Sequence, residues 1–124
     1  MREIQSGGGK VPGFGHPVHR PVDPRAERIL GLAAEHGTAG EYVALAGQLR
    51  EAVADTYGKP LVMNVSLPIA AVMLDLGFTE AAVAGVPVLA RTASLLAHLV
   101  EEQQRPLGST LAAAAEAAAD YRPE

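Results

Sequence analysis

The 124-residue sequence contains no cysteine and no tryptophan, and only 2 Phe and 3 Tyr. Without cysteine there is no disulfide framework, no thiolate zinc or iron–sulfur site and no thiol nucleophile, and the composition suits a reducing cytoplasm. An excess of either charge is also missing. Ten Lys and Arg against fourteen Asp and Glu leave a formal net charge of −4, which provides no general footprint for nucleic acid or an anionic membrane surface. Residues 1–10 hold no apolar run, which excludes an ordinary secretory signal. The most apolar stretches, 67–78 and 86–100, are short for a bilayer and contain Asp75 and Arg91, so they are expected as buried helices with no transmembrane segment. No useful length of period-2 alternation occurs. The expected fold class is therefore all-α, with about five helices and no significant sheet.

What the chain has is small aliphatic residues, with 48% hydrophobic and 19% charged positions. Its length suits one domain. A chain this short buries about 65% of its unfolded surface, and few aromatics mean modest burial per residue. The apolar faces of 67–78 and 86–100 exceed what so small a core covers, so self-association or a partner chain is expected.

Ser6-Gly7-Gly8-Gly9-Lys10 is polar and glycine-rich, and residues 1–10 are expected as a flexible segment ahead of a domain over 11–124. Residues 11–22 include three prolines and two glycines, which forbid a continuous helix and predict a tightly shaped loop. Asp23-Pro24-Arg25 opens a helix expected to end near Gly37, with Ile29, Leu32 and Ala33 on its apolar face. A second helix is expected from about Glu41 to Tyr57, burying Tyr42, Leu45, Leu49 and Val53 and stopping at Gly58. After an irregular 61–65, Ser66 is expected to cap a helix with Pro68 in its first turn and Gly77 at its end. Thr79 should cap a short turn to Ala84, Pro87 should stand near the start of a helix to about Gln104, and an Ala-rich helix should run from about Leu107 to Tyr121.

Several motifs lead nowhere. Gly7-Gly8-Gly9-Lys10 lacks the glycine spacing and following Ser/Thr of a phosphate loop, and Gly13-Phe14-Gly15 lacks the third glycine of a dinucleotide fingerprint. His16, His19 and Asp23 have no zinc-type partners downstream, with His36 and His98 on helices, so no metal is expected. Ser66 lies in no nucleophile elbow. More informative is a scattered polar set: His16 in a rigid loop, Arg25 in a first helical turn, Arg91 inside an apolar helix and Arg105 before proline. Arg25 stands at a helix N-terminus, where its charge opposes the dipole. A buried Arg91 needs an anion. Asp75 or a ligand carboxylate could supply it.

In their order, Val11-Pro12-Gly13-Phe14-Gly15-His16-Pro17-Val18-His19-Arg20, Asp23-Pro24-Arg25, Asn64-Val65-Ser66, Ala90-Arg91-Thr92 and Gln104-Arg105-Pro106 resemble the citrate synthase superfamily, and within it the citrate synthase-like and citryl-CoA lyase-like proteins. The resemblance runs from residue 11 to about 106. It implies an all-α, dimeric, two-domain enzyme acting on CoA thioesters by Claisen-type chemistry, of which this chain resembles the small domain with its trailing helix. It further implies that His16 donates to the keto-acid oxygen where negative charge develops. Val11, Pro12, Gly13, Phe14 and Gly15 would clasp the CoA adenine through their backbone, with Arg20 at a CoA phosphate. Arg25, Arg91 and Arg105 would bind the carboxylates of a di- or tricarboxylic acid.

Two departures accompany the resemblance. Ser66 stands where the family has the aspartate that removes the α-proton, and a serine hydroxyl is a far poorer base at neutral pH. The large-domain histidine has no counterpart, since His19, His36 and His98 fall in no matching motif. One expectation is therefore part of a lyase or synthase that needs a large domain from another chain. The other is a non-catalytic CoA-thioester and carboxylate binding module, and a purely structural helical dimerisation domain is the third.

Overall fold

Asp23 and Pro24 start the first helix as the sequence leads one to expect. In the computed structural model, which describes residue 7 and residues 9–119, α1 runs Pro24–Glu35 and the Asp23 carboxylate accepts the Arg25 N–H at 3.1 Å. An aspartate followed by proline suits that position because the cap satisfies a free donor and proline has none to lose. Beyond the helix end, Gly37 adopts φ +64°, while Thr38 N donates to Ala33 O at 2.8 Å. The start of the expected flexible segment, residues 1–6 together with residue 8, lies outside the described residues.

Helix α2 spans Glu41–Tyr57 and stops at left-handed Gly58. Its buried row is Ala46 and Val53, with Val43 and Leu49 packed against the core, whereas Leu45 is 48% exposed and Tyr42 is also exposed. The expected Tyr42–Leu45 face is thus corrected by a small rotation. Ala46 has little bulk, and turning it inward brings the α2 backbone close to its neighbour.

Helix α3 covers Ser66–Asp75, and here the expected cap is corrected. Ser66 is the first helical residue, and its N–H donates to Asn64 Oδ1 at 3.1 Å. Both α1 and α2 pack on α3. The Asp75 carboxylate accepts from Gly40 N at 2.8 Å, Tyr42 N at 3.0 Å and Val43 N at 3.0 Å, so it closes the N-terminus of α2 and does not serve as a partner for Arg91. A single turn, α4 (Glu80–Val83), follows. Thr79 begins α4 through its carbonyl, which accepts Ala82 N and Val83 N, and its hydroxyl makes no capping bond.

The chain divides into two compact units, residues 1–87 and 88–124. The core of the first consists of Val11, Phe14, Ala46, Val53, Met63 and Ala71. Among the described residues there is no named strand, only an isolated antiparallel bridge between Phe14 and Met63. The architecture is all-α.

Helix α5 spans Gly85–Gln104 and α6 spans Gly108–Ala118. Residues 120 and 121 of the expected last helix lie outside the described residues. Between α5 and α6, the Glu102 carboxylate accepts from Leu107 N at 3.0 Å and Gly108 N at 2.8 Å, which satisfies free donors at the start of α6. The expected burial of 86–100 is corrected: no residue of α5 is buried, and Leu89 is 73% exposed. The expected shortness is corrected too. The helical run Glu80–Gln104, 25 residues of mean hydropathy 1.6 in its most apolar window, is long and apolar enough to cross a membrane by length and composition, although Arg91 within it is costly in hydrocarbon.

Candidate functional site

The loop over 11–22 is held by its apolar anchors and by backbone bonds. Val11 and Phe14 are buried in the core. Phe14 N donates to Val11 O at 3.1 Å, Gly15 N to Val62 O at 2.7 Å, and Asn64 N to Gly13 O at 2.9 Å. Asn64 Nδ2 adds a bond to Gly15 O at 3.2 Å. Gly13 has φ +80°, and a Cβ there would meet Leu67 Cβ at 2.9 Å. Only glycine satisfies both the dihedral angle and the close approach of α3. The N–H groups of Phe14 and Gly15 are committed inside the protein.

His16 is fixed within its own turn. Its Nδ1 accepts Val18 N at 3.1 Å and His19 N at 2.9 Å, and the His19 ring stacks on it with centroids 4.4 Å apart. On the other side of the ring, Nε2 also faces an N–H donor. That atom lies 3.0 Å from Arg25 Nη2.

Arg25 is held from the other side by Asp23, which is 1% exposed. Arg25 Nε donates to Asp23 Oδ1 at 3.0 Å and Nη2 to Asp23 Oδ2 at 2.9 Å. The same Oδ2 accepts Val65 N at 3.1 Å. The hydrogen-bonded Arg25 guanidinium holds the Asp23 carboxyl well below the usual carboxylate range, against burial that pushes it up and with help from the Arg25 and Val65 N–H groups. Asp23 raises Arg25 in return. One buried carboxylate therefore ties the first turn of α1 to the segment just before Ser66. Sequence reasoning weighed Asp23 as a cap and as a member of a rejected metal cluster, but its tie to Val65 is beyond what local spacing reveals.

These ties bring His16 and Arg25 into contact and set exposed Ser66 on the chain directly after Val65. Arg91 and Arg105 belong to the second unit and are exposed. Arg20 lines an open cavity of about 570 Å³ with Gly15, His16, Pro21, Lys59, Pro60, Leu61 and Val62. A neighbouring groove of about 350 Å³ includes Lys10, Val11, Phe14, Gly15, Tyr57, Lys59 and Leu61. Exposed Pro12 is not among the lining residues of either. Lys59 borders both spaces, and no acidic residue lines either. The sequence reading passed over Lys59 because Gly58-Lys59-Pro60 reads as helix termination.

The fold and site define an all-α domain with a glycine-shaped loop that turns an imidazole and a guanidinium toward one cavity. The family described as citrate synthase, C-terminal domain, matches residues 1–110, and the chain belongs to it. Among solved structures it is similar to citryl-CoA lyase from Hydrogenobacter thermophilus, at 32% identity and a TM-score of 0.72 over 82% of this chain. This chain spans 40% of that one. No curated protein matches it.

Proposed function

We propose that this chain is the carboxylate- and CoA-binding portion of a citrate synthase-like or citryl-CoA lyase-like enzyme, which forms or cleaves the carbon–carbon bond between an acyl-CoA and a keto-acid. The observation that carries this reading is the contact of His16, which lines the cavity, with Arg25. His16 Nε2 and Arg25 Nη2 stand 3.0 Å apart, Arg25 is clamped by Asp23, and His16 is clamped by its turn. An imidazole beside a guanidinium suits a keto-acid whose carbonyl or alkoxide oxygen lies beside a carboxylate.

In cleavage, the hydroxyl of the hydroxy-acyl thioester gives up its proton and becomes a carbonyl while the carbon–carbon electron pair passes to the acyl-CoA as its enolate, and His16 faces that oxygen to take the proton in cleavage and return it in synthesis. Arg25, whose Nε and Nη2 are held by Asp23 and His16, has Nη1 left for the adjacent carboxylate. Arg20 and Lys59 supply positive charge for the CoA phosphates along the cavity. Arg91 and Arg105 are the further candidates for the carboxylates of the acid. The acyl-CoA carbon still needs a proton donor or acceptor, and Ser66 is too weak a base to act unaided. A large domain from another chain supplies the missing groups, in keeping with the 40% span of the similar lyase and with the exposed apolar face of α5.

A second reading, the non-catalytic binding module, draws on Ser66 alone. Isothermal titration with CoA, acetyl-CoA, oxaloacetate and citrate, run beside a thiol-release assay, tests both. Binding of CoA and an acid without turnover is expected for the isolated chain, with turnover appearing when a large-domain chain is added. Binding that never leads to turnover in such a mixture favours the module, and absence of all binding overturns both.

A further inference from the structure

We propose that Asn64 is a positioning residue, whose side-chain amide holds the peptide entering His16 against the first residue of α3, Ser66. The inference rests on the proposed function for its purpose, while its evidence lies in the bonds of Asn64 itself. Every polar group of this residue is used. Its backbone N–H donates to Gly13 O at 2.9 Å and its carbonyl accepts Leu67 N at 3.3 Å. Its Oδ1 accepts Ser66 N at 3.1 Å, and its Nδ2 donates to Gly15 O at 3.2 Å. A backbone N–H can only donate and a backbone carbonyl can only accept, so a single orientation of the amide serves both partners.

Two duties meet in this amide, and they differ in what they demand. Toward α3, Asn64 closes a local turn that takes up a free donor of the first helical turn, a duty that aspartate performs as well as asparagine. Toward the loop it gives a proton to the Gly15 carbonyl, which an ionised aspartate cannot do. Gly15 stands at φ +88° and lines both the larger cavity and the neighbouring groove. Its N–H is taken by Val62 O. Among the described residues no donor other than Asn64 Nδ2 reaches its carbonyl, so Asn64 fixes the plane of the Gly15–His16 peptide from which the His16 side chain departs. A residue needed only to start α3 would leave that plane to the loop.

Asn64→Asp separates the two duties, since it keeps an acceptor for Ser66 N and sets an oxygen against Gly15 O. The first readout needs no ligand. In spectra of the 13C,15N-labelled full chain at neutral pH, the Gly15 carbonyl and His16 N–H resonances should leave their parent positions while the Ser66 N–H stays. As pH falls through the ordinary carboxylate range the new carboxyl gains a proton that it can donate to Gly15 O, so the Gly15 resonance should return. The charged groups nearby are His16, Arg25 and Asp23, whose Oδ2 takes Val65 N; all three are shared with the parent, and titrating the parent alongside removes their part. Asn64→Ala loses both duties and should displace the Ser66 N–H as well. The second readout is oxaloacetate binding at neutral pH, expected to weaken about tenfold in Asn64→Asp with Tm near that of the parent. Gly15 and His16 resonances unmoved by Asn64→Asp, or moved but not restored by acid, overturn the proposal and leave Asn64 a helix cap. Unchanged oxaloacetate affinity overturns its role in the site. If the resonances behave as expected but not even the parent binds the acid, the positioning stands and the proposed function falls.

Discussion

Residues 11–75 and residues 88–118 answer the same chemical demands in opposite ways. In the first stretch the polar groups find partners across long sequence distances: Asp23 with Val65, Asn64 with Gly15, Asp75 with Gly40. In the second, the polar partners are local, as in Glu102 with Leu107 and Gly108, and the apolar side chains of α5 have little cover. Stability in the first is internal. The second leaves its apolar face open to water, the kind of surface that the proposed function assigns to a partner chain.

The strongest way to break this contrast is Asp23→Ala. It strands the Arg25 guanidinium and the Val65 N–H together, and it should cost about 2–3 kcal/mol in urea unfolding, toward the low end because the Arg25 side chain is 48% exposed. Next is Gly13→Ala, which combines a positive φ with a 2.9 Å approach to Leu67 and should cost about 2 kcal/mol by the same measurement.

A smaller effect separates the regions by pH. Hydrogen bonding with Arg25 lowers the Asp23 carboxyl. At Asp75, burial pushes the carboxyl up, but the N–H groups of Tyr42, Gly40 and Val43 together bring it down. The Leu107 and Gly108 N–H groups lower Glu102. A carboxyl lowered on folding contributes stability that is complete above its unfolded value and is lost as pH falls through the folded one. Acid titration monitored by circular dichroism should therefore show weakening below the ordinary carboxylate range, and Asp75→Asn should flatten that limb more than Glu102→Gln. Least costly to the isolated chain is Leu96→Asp on the exposed face of α5, expected within about 0.5 kcal/mol of the parent. In sedimentation, however, it should reduce self-association or capture of a large-domain partner; no change in either would remove α5 from the interface.

What could be read beforehand follows from the range of each force. Asp23-Pro24, Gly37 and Gly58 punctuate the chain locally, so α1 and α2 were legible to within a residue or two. The phase of α2 was not, because it depends on how closely Ala46 lets α3 approach. The caps given by Asp75 and Asn64 escaped notice because their acceptors come from outside the helix being capped. His16, Arg25 and Ser66 stood out as candidates by type and by resemblance. That Asp23 ties Arg25 to the Ser66 segment, that Lys59 borders both cavities, and that His19 clamps His16 required the folded chain.

The Asp75 carboxylate has a consequence for how the protein breathes. It closes the beginning of α2 from the end of α3, so exchange of the Gly40, Tyr42 and Val43 amides with solvent deuterium is slowed while the carboxylate holds them. Unwinding of the last turn of α3 carries Asp75 away and frees all three at once. The beginning of one helix therefore keeps time with the end of another, and three amides far from α3 in sequence become a clock for its opening.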